Sequence, residues 1–237
     1  MRYFKANPTV WDKGGDAGPV TQADLEIDAM LSKHLKGARP NYGWLSEETD
    51  DDPARLQDDT VFIIDPIDGT RSFIQGHENF AVALAVAHKG EVRDAVVHMP
   101  AKNITYSASL GAGSFKNGER LSSAKTPALK GARILTAGAT LTSPDWKHRP
   151  QIERHFRASL AYRFCLVAEA RFDGMMTLRD TWEWDSAAGA LIATEAGAKV
   201  TQKTGEPALY NSVEAKHKGF FVGSTGVVDD LIYHLNG

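Results

Sequence analysis

The segment Asp65-Pro66-Ile67-Asp68-Gly69-Thr70 follows directly on the apolar run Val61-Phe62-Ile63-Ile64, and this junction constrains the chain more than any other feature. The β-branched run reads as a buried strand that delivers Asp65 at its end. Proline and glycine then predict an irregular turn. Two carboxylates three residues apart on such a turn can aim at one point, whereas the two-residue period of a regular strand would send them to opposite faces. They read as shared ligands. Oxygen donors without histidine or cysteine favour Mg²⁺ or Mn²⁺ over zinc, and the turn adds the backbone carbonyl of Ile67. The competing reading is an acidic surface turn, which an apolar strand running straight into the first aspartate makes uncomfortable.

Two further segments carry candidate ligands. In Trp184-Asp185-Ser186-Ala187-Ala188-Gly189, Asp185 sits where a helix N-cap belongs, and the small residues after it would let that helix pack closely on other backbone. In Ser46-Glu47-Glu48, Glu47 is the candidate, while Glu48 and Asp50 to Asp52 read as a solvated acidic loop. Other chemistries find no footing. The chain has no Gly-x-x-x-x-Gly-Lys-Ser/Thr, no His-Glu-x-x-His and no Gly-x-Ser-x-Gly, and its histidines are scattered. The one cysteine, Cys165, lies in an apolar stretch and reads as a buried, inert thiol. A formal charge of −3 leaves no electrostatic footprint for a nucleic-acid polymer or an anionic membrane. With 42% hydrophobic and 24% charged residues the chain can bury a core. Its longest apolar run, Phe80 to Ala87, is too short to cross a bilayer, and the start lacks an apolar signal core, so a cytoplasmic protein is expected.

Hydrophobic periodicity predicts an amphipathic helix over Thr21 to Lys36, with Leu25, Ile27, Ala29, Met30, Leu31 and Leu35 as its apolar positions and Asp24 in its first turn. Strands are expected at Ala81 to His88, Val92 to Met99 and Ile104 to Ser109, and Asn117-Gly118 predicts a tight hairpin. From Ala132 the texture changes to alternating strand and helix: Arg133 to Ala137, Ser159 to Ala170, Gly174 to Leu178, Asp185 to Ala196 and Lys199 to Thr201. A lobe boundary is expected near residue 131, giving an α+β lobe over 1–130 with the metal-binding strand and turn, and an α/β lobe over 131–237 that contributes Asp185.

Asp-Pro-Ile-Asp-Gly-Thr after a hydrophobic strand, with Trp-Asp-Ser-Ala-Ala-Gly and a trailing Glu-Ala-Gly, resembles the inositol monophosphatase family of metal-dependent, lithium-sensitive phosphatases. The resemblance extends to Val20-Thr21-Gln22-Ala23-Asp24, to Ser46-Glu47-Glu48 and to Gly111 through Leu121, and so covers the chain from residue 13 onward. It implies a layered α-β-α-β-α sandwich and Mg²⁺, two or three ions per site, with Mn²⁺ as a substitute. It implies that Glu47, Asp65 and the carbonyl of Ile67 hold one ion and that Asp65, Asp68 and Asp185 hold a second. Gly69 and Thr70 match backbone N–H groups that receive the phosphate, Thr70 and Asp24 match the pair that orients and deprotonates water and with Glu47 make the implied catalytic set, and Lys13 matches a basic residue near the site that counts with Gly69 and Thr70 toward substrate binding. Glu48 matches an acidic position.

The implied reaction is hydrolysis of a small phosphate monoester, inositol phosphate or a similar polyol phosphate first. Ser159-Leu160 with Phe164 to Glu169, and Thr181 to Asp185, resemble the 3′(2′),5′-bisphosphate nucleotidase branch, and Arg71-Ser72-Phe73 is similar to histidinol-phosphate phosphatases. A third reading is a regulatory binding protein that keeps the fold without the activity. Ser72 stands where the family usually has asparagine, and Ala198 where a second glycine is common. The resemblance also implies a homodimer. It further predicts that Met1 to Ala6 is the stub of a longer helix, leaving an apolar groove near Trp11.

Overall fold

A computed structural model describes residues 1–14 and 18–237. Seven strands form the larger sheet in sequential order: β1 (Gly43–Ser46), β2 (Thr60–Asp68), β3 (Ala81–His88), β4 (Glu91–Met99), β5 (Ile104–Ser109), β6 (Gly113–Lys116) and β7 (Glu119–Arg120). From β2 to β7 the sheet is an antiparallel meander that contains the three expected strands and the expected hairpin. Asn117 and Gly118 both take positive φ, 49° and 85°, as a two-residue hairpin requires. β1 pairs parallel with β2 at the open edge, and its four residues were too short a run to stand out in the sequence.

The second sheet holds β8 (Arg133–Leu135), β9 (Glu153–His155), β10 (Gly174–Thr177), β11 (Lys199–Gln202) and β12 (Phe220–Gly223), in the order β9-β8-β10-β12-β11. Its first three strands are parallel, and β12 runs antiparallel to both its neighbours.

Helices supply the other layers. α1 (Gln22–Ala38) covers β2 on the outer face of the large sheet, α2 (Thr70–Ile74) follows β2, and α3 (Leu160–Ala168) and α4 (Glu183–Glu195) lie between the two sheets. α5 (Thr225–Asn236) covers the far side of the small sheet at β11 and β12. The layering is the expected α-β-α-β-α sandwich. Close approach in the middle layer follows from side-chain size. β3 turns Ala81, Ala83, Ala85 and Ala87 inward, and α4 answers with Ala187, Ala188 and Gly189. A Cβ on Gly189 would sit 2.7 Å from Cβ of Phe164, so nothing larger than glycine fits between α4 and α3. Cys165 is fully buried in this core.

Three expectations change. α1 exposes Leu25 and Met30 and buries Asp24 and Asp28 instead. Asp28 accepts from Ser46 Oγ at 2.5 Å and Thr49 Oγ1 at 2.7 Å, and those bonds turn a polar stripe of the helix toward the sheet. Leu31 and Leu35 still pack on Trp44, Phe62 and Ile64. Asp185 is not the N-cap of α4, since Trp182 holds that position and Asp185 is the third helical residue. Residues 1–6 form successive turns, closed by Phe4 N–H to Met1 C=O and Ala6 N–H to Tyr3 C=O, rather than a helical stub. Phe4 packs on Phe73 and Phe80 at centroid distances of 5.8 and 5.1 Å, so these turns close part of the core while Trp11 stays 46% exposed.

Candidate metal centre

The strand β2 does not end at Asp65. It continues to Asp68 through a bulge, with Asp65 opposite Ala83 and Asp68 opposite Ala81. Three steps on one strand thus match two on its partner, and that extra residue lets carboxylates of odd spacing converge. Pro66, which has no N–H to give to the ladder, sits in the bulge. One carboxylate oxygen from each of Asp65, Asp68 and Asp185 lies within 4.8 Å of the other two.

Their hydrogen bonding differs sharply. Asp68 is clamped by the start of α3, accepting from Ser159 Oγ at 2.6 Å, Leu160 N–H at 3.1 Å and Ala161 N–H at 2.6 Å. Asp65 is 1% exposed, and both its oxygens are buried without a hydrogen-bond partner among the described residues. A buried carboxylate left so is expensive. Burial first, and then the charges of Glu47, Asp68 and Asp185, push Asp65 well above the ordinary carboxylate range. Burial and the charges of Asp68 and Glu47 push Asp185 up to about 8. For Asp68, burial also wins over the bonds from Ser159 and α3. An all-oxygen set with orphaned lone pairs and excess negative charge fits a hard divalent cation.

Glu47 stands just past the end of β1, its N–H donating to Ile64 C=O at 3.2 Å, which places its backbone beside the Ile64–Asp65 step of β2. Lys13 Nζ binds Glu47 at 2.9 Å and Glu48 at 3.1 and 3.2 Å. Lys13 therefore faces two carboxylates. Glu48, expected to be solvated, has a side chain only 2% exposed, and burial followed by the Glu47 charge pushes it up to about 7. The neighbouring acids are used too: Asp51 pairs with Arg55, and Asp52 caps the 3₁₀ turn Pro53–Gln57.

Asp24 and Thr70 meet at the other side. The Thr70 hydroxyl lies 3.2 Å from Asp24 Oδ1 and 3.0 Å from the Ile67 carbonyl, so its single proton can serve either acceptor. Asp24 is fully buried, and its other oxygen completes a capping box with Thr21 at the start of α1. Gly69, at φ +97°, is the N-cap of α2. A Cβ there would lie 3.2 Å from Asn79 O and 3.5 Å from Ser159 N, so the turn that brings β2 to the start of α3 needs glycine.

The clamp on Asp68 was not legible in the sequence as a site feature, because Ser159 lies 91 positions away. Arg163 is another such residue. It is 7% exposed, donates to the carbonyls of Arg157 at 2.6 Å and Ala158 at 3.4 Å, and stands 4.6 Å over the ring of Phe156. Burial pulls its guanidinium down to about 10 against the opposing charge of Asp68. The sequence carries only a weak sign of it, a lone arginine inside the apolar run Leu160 to Ala168.

The family model described as the inositol monophosphatase family matches residues 1–234. An inositol-1-monophosphatase of Rhizobium meliloti is 35% identical over 204 residues, covering 81% of this chain and 74% of that protein. A 3′-phosphoadenosine 5′-phosphate phosphatase of Mycobacterium bovis is 31% identical over 211 residues, 84% of this chain and 73% of that one. Among solved structures, a Thermotoga maritima IMPase superposes with a TM-score of 0.85 at 30% identity, covering 100% of this chain and 90% of that chain.

Proposed function

We propose that this chain, which belongs to the inositol monophosphatase family and is a phosphatase, hydrolyses a small phosphate monoester with Mg²⁺ held by Glu47, Asp65, the Ile67 carbonyl, Asp68 and Asp185. The observation that carries this reading is Asp65, whose two buried oxygens have no partner among the described residues. Asp65 would bridge two ions, sharing one with Glu47 and Ile67 and the other with Asp68 and Asp185. When bound, such ions offset the charge of the dianionic ester and lower the pKa of water.

The chain's own groups do the rest. Thr70 orients the attacking water through its hydroxyl, and Asp24, 3.2 Å from that hydroxyl, takes up the proton. The first N–H groups of α2, at Gly69 and Thr70, receive phosphate oxygens. Lys13 balances the excess charge of Glu47 and Glu48. Ser159 and the start of α3 hold Asp68 in place.

Inositol phosphate or a similar polyol phosphate is the first substrate class. A nucleoside 3′,5′-bisphosphate is the second, favoured by aromatic and cationic groups near the cluster. Phe156, 48% exposed, packs on the guanidinium of Arg163, which lies close enough to the cluster to feel the charges of Asp68 and Asp185. Phosphate release with and without Mg²⁺, from inositol 1-phosphate, 3′-phosphoadenosine 5′-phosphate and histidinol phosphate, tests the reading. Release from at least one ester, lost with chelator, is expected, and metal-independent release would overturn it. A homodimer is part of the proposal and is read by light scattering. Among the described residues no helix is long and apolar enough to cross a membrane.

A further inference from the structure

Three carboxylates within 4.8 Å of one another repel whenever more than one is ionised, and the position of Asp185 against Asp65 and Asp68 is set by the element that carries it. Asp185 rides on the first turn of α4, two residues after Glu183. Glu183 is fully buried, and its oxygens accept Asn211 N–H at 2.6 Å, Ser212 N–H at 2.9 Å and Ser212 Oγ at 2.6 Å. That segment is gripped in turn by Arg55. The guanidinium donates to Asn211 Oδ1 at 2.6 Å and to Ser212 C=O at 3.1 Å, and Asn211 Nδ2 donates back to Arg55 C=O at 3.0 Å. Asn211 itself is held at φ +62°, a left-handed conformation that a well-anchored segment can sustain.

Arg55 closes the path at its far end, donating from Nε and Nη2 to the two oxygens of Asp51 at 2.6 and 2.9 Å. Both Arg55 and Asp51 lie in the connection between β1 and β2, the strands that carry Glu47 and Asp65. A continuous line of bonds thus joins the start of α4 to the connection between the two strands that supply the other ligands. Stability alone is a poor account of it. A buried carboxylate and a buried guanidinium are commonly replaceable by apolar residues of similar volume without loss of stability. What an apolar replacement would lose is the fixed direction of the helix start.

We propose that Glu183 and Arg55 are positioning residues of the metal centre, which lock the first turn of α4 to the β1–β2 connection so that Asp185 faces Asp65 and Asp68 before any ion is bound. Neither touches substrate or a reacting atom. Outer partners of this kind typically govern metal affinity by about 10–100-fold, because a ligand that is not pre-oriented must be ordered on binding. The inference rests on the metal-centre reading above.

The test is Mn²⁺ binding to the full chain, followed by electron paramagnetic resonance, in wild type, Glu183→Gln, Arg55→Lys and the double variant. Near-UV circular dichroism certifies the folded state, and urea midpoints are recorded in parallel. We expect a Kd raised about tenfold in each single variant, with the double variant little worse than either, since both cut one path. A purely structural role would lower the urea midpoint and leave the Kd of folded protein within twofold, and that result overturns the proposal. Additive losses in the double variant overturn it as well. If Glu183→Gln does not fold, Arg55→Lys and Ser212→Ala decide by the same criterion. Wild-type protein that binds no Mn²⁺ would instead sink the metal-centre reading itself.

Discussion

Asp65 and Asp68 are neighbours in one motif, yet the protein treats them oppositely: Asp68 receives three hydrogen bonds and Asp65 none. An aspartate with satisfied oxygens is oriented, and one with orphaned oxygens has lone pairs that a cation could take. Asp68→Asn and Asp185→Asn should therefore keep near-native circular dichroism while phosphate release falls by at least about 100-fold, a larger loss than outer partners produce. Turnover within a few-fold of wild type at saturating Mg²⁺ would remove the ligand role. Thr70→Val should leave Mn²⁺ affinity intact and lower kcat by about 10²–10⁴-fold, the usual worth of placing a proton acceptor on the nucleophile. An unchanged kcat would take that role from Thr70 and Asp24 together. The motifs made the clustered carboxylates Asp65, Asp68 and Asp185 legible in the sequence. They could not show Ser159, Arg163 or the burial of Glu48, because each depends on partners far along the chain or on a fold that closes over them.

Long, regular elements were readable, and of the short strands β8, β10 and β11 fell where strands were expected whereas β1, β9 and β12 were not foreseen. β3 and β5 run over the residues their alternation predicts, while β1, β9 and β12, with three or four residues each, carry too few positions for a period to show. The bulge in β2 was hidden for a related reason: Pro66 and Gly69 announce an irregularity, and only the partner strand decides whether it is a turn or a bulge. α1 misled because two of its aspartates are needed inward, one by Thr70 and one by Ser46 and Thr49. At this scale the sharpest expectation concerns Gly189. A methyl there would press on Phe164 with 2.7 Å between Cβ atoms, so Gly189→Ala should cost about 1–3 kcal/mol of overpacking. Urea denaturation reads the loss, and an unchanged midpoint would mean that α3 and α4 separate freely.

Two sheets share one buried core through α3 and α4, and the carboxylate cluster proposed as the metal centre lies where the bulged strand of the first meets the start of both helices. Electrostatics of the whole molecule follow from that placement. Asp65, Asp68 and Asp185 all titrate above the ordinary range, Asp185 near 8, so between about pH 4 and pH 8 the metal-free folded state binds more protons than the unfolded chain. Stability then falls as pH rises across that window. Metal-free protein should lose urea midpoint from about pH 5 to pH 8, and saturating Mg²⁺ should flatten the slope by displacing those protons. A midpoint that rises with pH in chelator would contradict the assignment. The most direct test of the centre itself is anomalous diffraction from crystals grown with Mn²⁺. The account predicts peaks within coordination distance of Asp65, shared with Glu47 and the Ile67 carbonyl on one side and with Asp68 and Asp185 on the other. Mn²⁺ bound elsewhere, with the Asp65 oxygens answered by protein groups, would contradict it.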